Sequence, residues 1–235
     1  MQHTMKRFDE EMIKLKEHVL SMGGLVERAI RHSVRAMLEK DEKRALRTID
    51  RDHAINAMEV QSDLMTRDIL VRRQPAAGDL RFVLAVIKVV TDLERMGDLA
   101  AGIAQGVIRS SEHPLQDLSN LDVIAEKVQQ QVHRSLDALA RGDVDLALLV
   151  IEKDASIDRL YKRMYRELLT YVMEDPRAIS ASFILSNAAK NLERISAHAT
   201  NIAEMVIYIE KGHDIRHVDH EEAARMVASD DHDDD

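Results

Sequence analysis

Apolar residues fall at Phe8, Met12, Leu15, Val19, Met22, Val26 and Ala29, in steps of three and four. That period puts them on one stripe and predicts a long helix with a single buried face. The stripe gives out before Asp41, a residue type that caps helix starts, and a second helix is expected from about Glu42 to Arg72. Pro75 opens a third, at a position where a missing N–H costs nothing. Farther on, Ser119 with Asp122 resembles a capping box, Gly142-Asp143 reads as a stop and restart, and Asp175-Pro176 opens a last helix.

The pattern is written twice. Asp41, Ile49, Asp52 and Ile55 recur as Asp143, Ile151, Asp154 and Ile157 at one constant offset. At that same offset Val26, Ile30, Val34 and Met37 meet Val128, Val132, Leu136 and Leu139. Asp92-Leu-Glu-Arg-Met then matches Asn191-Leu-Glu-Arg-Ile, with the offset slightly shortened near Pro75 and Pro176. Three blocks in one order indicate a duplicated unit. The expected fold is all-α: two tandem three-helix bundles, residues 1–112 and 117–212, with helices of about 45 Å packed along one axis. Residues 213–235 mix charges, hold little apolar content and end in an acidic run, so they are expected to form a mobile acidic tail.

Composition agrees with helices. Three prolines and eight glycines in 235 residues, and only 3% aromatics, leave little for strands. There is no cysteine, which removes disulfides, thiolate nucleophiles and Cys-type zinc sites together. A net charge of −9 argues against nucleic acid as a partner. The run Phe82 to Val90 is too short to span a bilayer, so no direct membrane insertion is expected and the cytoplasm is the expected compartment.

The candidate chemistry is carboxylate. Glu94 and Asp98 stand four apart in a helix that is apolar on most sides, from Phe82 to Val107. Asp52, Asn56, Glu59 and Asp63 form a matching line on the second helix. If the two lines face each other, several oxygen donors converge, as a hard or borderline divalent cation requires. In the second unit Asp154 and Asp158 repeat the line, and Glu193 and Glu204 share a face of the sixth helix. The ordinary alternative is solvated acids paired with Arg51, Arg67, Arg81 or Arg95. The paired Glu-x-x-His motifs of di-iron bundles are missing, which weighs against a carboxylate-bridged metal-dependent oxidase or iron store, the second function class. No phosphate loop, nucleophile elbow or zincin motif occurs, so no enzyme is expected. His198 reads as a capping or packing residue.

Several segments resemble one family. Gln74-Pro-Ala-Ala-Gly-Asp-Leu-Arg81 precedes Asp92-Leu-Glu-Arg-Met-Gly-Asp98, and Asn191-Leu-Glu-Arg-Ile precedes His198-Ala-Thr-Asn-Ile-Ala-Glu204. With Met22-Gly-Gly-Leu-Val-Glu-Arg28 and the stretch from Tyr208 to Gly212, these are similar to the PhoU family over roughly residues 5–215. The resemblance implies two pseudo-symmetric three-helix bundles, a homodimer, and divalent or iron-type metal ions bound on acidic pairs spaced four apart. Glu94 and Asp98 fit that motif. Ala197 stands where the second copy expects an aspartate, and Asn201 and Glu204 are the residues left to complete that site. The resemblance further implies a negative regulator of phosphate uptake and of the phosphate-starvation response. Its implied partners are the ATPase of a phosphate ABC transporter and a membrane sensor histidine kinase.

Overall fold

A computed structural model describes residues 2–110, 119–216, 218 and 220–230. Its helices are α1 (Gln2–Glu39), α2 (Glu42–Arg73), α3 (Ala77–Arg109), α4 (Ser119–Arg141), α5 (Val144–Glu174), α6 (Ile179–Lys211) and α7 (His220–Asp230).

The duplicated junctions fold alike. Asp41 accepts the Arg44 amide at 2.9 Å, and Asp143 accepts the Leu146 amide at 2.9 Å. Before each cap the chain turns through a left-handed residue, Lys40 at φ 54° and Gly142 at φ 66°. The Asp41 amide then closes onto Ala36 O and the Asp143 amide onto Ala138 O, which satisfies a carbonyl at each helix end. The third-helix junctions differ. In the second unit Asp175 caps a short 3-10 turn, Pro176–Ala178, that runs into α6. In the first unit α3 begins at Ala77 rather than at Pro75, because Gln74 and Ala77 both take left-handed φ and Pro75 lies in the link between helices.

Helices α3 and α6 run antiparallel through the centre, as pairings of Arg81 with Ile209 O, Asp92 with Asn201 and Asn191 with Leu99 O require. Against α3 lie α1 and α2, and against α6 lie α4 and α5, while α1 also meets α4. The buried stripes match residue for residue: Met22, Val26 and Ile30 in α1 as Ile124, Val128 and Val132 in α4, and Leu93 and Met96 in α3 as Leu192 and Ile195 in α6. One continuous apolar core joins the two units. Each fully buried leucine or isoleucine contributes roughly 1.5–3 kcal/mol from leaving water.

The expectation of a mobile acidic tail from residue 213 needs correction. Helix α7 rests on α5 and α6, with Ile215, Ala223 and Val227 buried. The dense charges hide a narrow apolar stripe, Ala223, Met226 and Val227, at helical spacing. Residues 231–235, and the expected unit boundaries at 112 and 117, lie outside the described residues.

Candidate metal seam between paired helices

Helix α2 packs on α3 with Asp52 of its acidic line at Gly97, a facing that the spacing alone leaves open. Two features bring the backbones together there. Ile55 is buried, and Gly97 offers it a side without a side chain: a Cβ at Gly97 would sit 3.0 Å from Ile55 Cδ1 and 3.1 Å from Asp52 Oδ1. Asp52 is therefore aimed at the turn of α3 that carries Glu94 and Asp98. Glu94 is tucked in, its side chain 14% exposed, whereas Asp98 stands at the mouth at 47%.

The electrostatics record this crowding. Burial, then the charge of Asp98, raises the Asp52 carboxyl above its ordinary value, with Asn56 opposing through a weak 3.5 Å hydrogen bond. Burial and Asp98 likewise raise Glu94, with Glu59 and Asp52 adding smaller repulsions and Arg95 opposing. Asp52, Glu59, Glu94 and Asp98 thus sense one another across α2 and α3. Asp63, at the far end of the line, is exposed. Arg95 comes to 3.4 Å from Glu94 Oε2 and 3.7 Å from Asp98, so the ordinary ion-pair reading holds in part. The approach to Glu94 lacks hydrogen-bond geometry. Asp52 Oδ1, Asn56 Oδ1 and Glu94 Oε2 are all buried without a hydrogen-bond partner. Orphaned oxygens of this kind are costly, and the Arg95 approach leaves all three without a hydrogen-bond donor.

The second seam starts from the same plan and resolves it otherwise. Asp154 is raised chiefly by burial, with Glu193 and Asp158 adding to it. Here α6 carries Ser196 where α3 carries Gly97, and the Ser196 hydroxyl donates to Asp154 Oδ1 at 2.8 Å. The Thr200 hydroxyl donates instead to the Ser196 carbonyl at 3.3 Å. Asp158 pairs with Lys162 at 2.7 Å, and Glu193 with Lys190 at 2.7 Å. Ala197 supplies no acid.

Glu204 is not gathered with these groups. Its carboxyl lines a groove between α3 and α6 with Asp92 and Arg216, and it is raised by burial, with Arg216 opposing and Asp214, Asp92 and lastly Asp154 adding smaller repulsions. Asp92 accepts from Asn201 at 2.9 Å and is bonded to His198 Nδ1 at 2.7 Å, so His198 ties α6 to α3. The Gly97-to-Ser196 exchange is the feature that sequence reasoning missed. It was visible in the repeat, one residue before Ala197.

An oxygen-donor metal ion can be tested against these two seams. Among the described residues no three carboxylates or histidines converge closely enough to hold a metal as they stand. The α2/α3 seam nevertheless fits a hard cation: its donors are oxygen, its acids repel each other, and three buried oxygens lack partners. The α5/α6 seam fits poorly, since its acids already have protein partners.

An all-helical protein made of a doubled three-helix unit, with an acidic seam in each half, is the class that these features define. The chain belongs to the PhoU family. The family model, described as the PhoU domain, matches twice, at residues 19–107 and 121–206. Among curated relatives, a "Phosphate-specific transport system accessory protein PhoU homolog" of Pseudomonas aeruginosa is 44% identical over 218 residues, 92% of this chain and 90% of that one. The "Phosphate-specific transport system accessory protein PhoU" of Escherichia coli K12 is 36% identical over 234 residues, 98% of this chain and 96% of its own. The crystal structure of PhoU from Pseudomonas aeruginosa superposes with a TM-score of 0.86 at 44% identity, covering 88% of this chain and 100% of that chain. A phosphate transport system regulatory protein PhoU from Streptococcus pneumoniae gives a TM-score of 0.82 at 30% identity, covering 88% and 98%. The fold and the doubled unit expected from the sequence agree with these findings. No helix among the described residues is long and apolar enough to cross a membrane.

Proposed function

We propose that this chain is a non-catalytic accessory regulator of phosphate transport that restrains high-affinity uptake and the starvation response when phosphate is plentiful. The observation that carries the reading is family membership over nearly the full length of both this chain and relatives described as accessory proteins of phosphate-specific transport. The protein works as a cytoplasmic homodimer between the ATPase of a phosphate ABC transporter and a membrane sensor histidine kinase. Action through contact is supported by exposed apolar residues at the end of the α5–α6 hairpin, where Leu169 is 47%, Met173 84% and Phe183 66% exposed. Co-purification from cells grown with and without phosphate tests this. Recovery of the transporter ATPase and the kinase is expected, and their absence under both conditions would overturn it.

The metal part of the reading rests on the orphaned oxygens of the α2/α3 seam. Asp52, Asn56, Glu59, Glu94 and Asp98 are the residues that would hold a divalent or iron-type ion. Such an ion supplies the positive charge that lets the crowded acids stay ionised, so its binding energy becomes folding energy. Asp154, Asp158 and Glu193 form the weaker site, and Glu204 stands apart from it. Replacing both Glu94→Ala and Asp98→Ala is expected to abolish bound metal and lower the melting temperature of metal-loaded protein. Unchanged metal content by elemental analysis would remove this part.

A further inference from the structure

A cavity of about 270 Å³ opens between α1 and α2, on the α1 side of the helix whose other side carries Asp52. Leu25 and Ala29 of α1 and Ile55 of α2 form its apolar wall, and Arg28, His32 and Arg51 bring cationic or titratable groups to it. Positive charge accumulates around it. His32 is held below its usual value by burial first, then by the charges of Arg51, Arg31, Arg44 and Arg35. Arg44 is answered by Glu39 at 2.7 Å. Among the described residues Arg28, Arg31, Arg35 and Arg51 have no ion-pair partner. Of these, Arg28 and Arg51 line the cavity itself, whereas Arg31 lines a separate groove beside α4.

Guanidinium forks match the oxygens of a phosphoryl group, and their flat faces stack on planar rings. An inorganic anion would meet the arginines and leave the apolar wall wet. The volume lies just under the ~300 Å³ at which small-molecule pockets begin, so the occupant is small.

We propose that this cavity binds a small organic phosphate, its phosphoryl head on Arg28, His32 and Arg51 and its planar body against Leu25, Ala29 and Ile55. The site is independent of the metal reading, although Ile55 touches both places: it lines the cavity and packs on Gly97 in the acid seam.

The test is titration of the full chain, in chelator, with adenosine monophosphate and with inorganic phosphate, followed by calorimetry and by NMR. Binding of adenosine monophosphate at about 1 mM or tighter is expected, with resonances of His32 and Ile55 moving, and inorganic phosphate at least about tenfold weaker. Joint replacement Arg28→Gln and Arg51→Gln, both at exposed positions, is expected to weaken the nucleotide about tenfold or more with helix content unchanged. Ala54→Trp, which fills the cavity from its α2 wall, is expected to weaken the nucleotide more than inorganic phosphate. The proposal is overturned if neither probe binds at about 10 mM, or if binding survives the double arginine replacement. Inorganic phosphate binding as tightly as the nucleotide would overturn it as well.

Discussion

The α2/α3 and α5/α6 seams descend from one pattern, and both bury an aspartate from the middle helix against the third helix of their unit. In the first, Gly97 offers Asp52 Oδ1 no donor, and three oxygens of Asp52, Asn56 and Glu94 stay unpartnered. In the second, a hydroxyl at the equivalent place, Ser196, meets Asp154, while lysines meet Asp158 and Glu193. The comparison teaches how little separates a seam whose aspartate has a donor of its own from one whose aspartate lacks it. One side chain turns an orphaned carboxylate oxygen into one satisfied by its own helix pair. Duplication preserved the frame and let the two linings diverge.

The largest expected effect tests whether the frames are equivalent. Leu93 and Leu192 occupy matching places in α3 and α6 and are fully buried. Leu93→Ala and Leu192→Ala should each cost about 2–5 kcal/mol in chemical denaturation, with the two costs similar. A large difference between them would break the symmetry from which the comparison starts.

Exchanging the linings comes next. Ser196→Gly strips Asp154 of its 2.8 Å donor and should destabilise the protein by about 1–3 kcal/mol, the cost of an unsatisfied buried acceptor. It should also raise metal uptake by the second seam. The reverse change, Gly97→Ser, offers Asp52 a hydroxyl and should lower metal uptake by the first. Its Cβ meets Ile55 at 3.0 Å, so Ile55 must shift and part of the gain is lost. Elemental analysis with thermal melts reads both, and unchanged metal content in both variants would sink the account of divergent linings.

The smallest effect is the pH dependence. Asp52, Glu94, Asp154 and Glu204 have folded-state values raised above their ordinary 3.8 or 4.5, so the folded protein holds these protons more tightly than the unfolded chain. Their contribution is fully present below the ordinary values and is lost as pH rises through the raised ones. Asp214 acts oppositely: Arg216 lowers it to about 2, so its contribution fades only as pH falls below 3.8 toward that value. Metal-free protein should therefore melt higher on mild acidification from neutrality. Added divalent cation should stabilise it more at neutral pH than in acid, where protons compete for the same oxygens. A melting temperature that falls steadily from neutrality downward in metal-free protein would contradict the raised values.

Much of the fold was legible because helix periodicity is a local property. The stripe from Phe8 to Ala29, the caps at Asp41 and Asp143 and the doubled Leu-Glu-Arg blocks each lie within a few turns of chain. Spacing also put Asp52 with Asn56, and Glu94 with Asp98, on one face of their own helices, whereas the meeting of the two faces was left to packing. Helix α7 was not legible, because its apolar stripe is narrow and sits among charges. The neighbours of Glu204 were not legible either, although its eleven-residue distance from Glu193 along one helix was. Both lie on one side of α6, but which neighbour each meets depends on where α3, α5 and the segment around Arg216 pass.

By itself the sequence determined helices α1 to α6, the duplication and the acidic lines, because periodicity, capping and offset are all written along the chain. Only the tertiary structure decided that Arg28 of α1 and Arg51 of α2 line one cavity and that Ser196 reaches Asp154. It alone decided that the oxygens beside Gly97 are left without donors. Hydrogen-bond satisfaction depends on distances of a few tenths of an ångström between helices, and no pattern within a single helix carries that information.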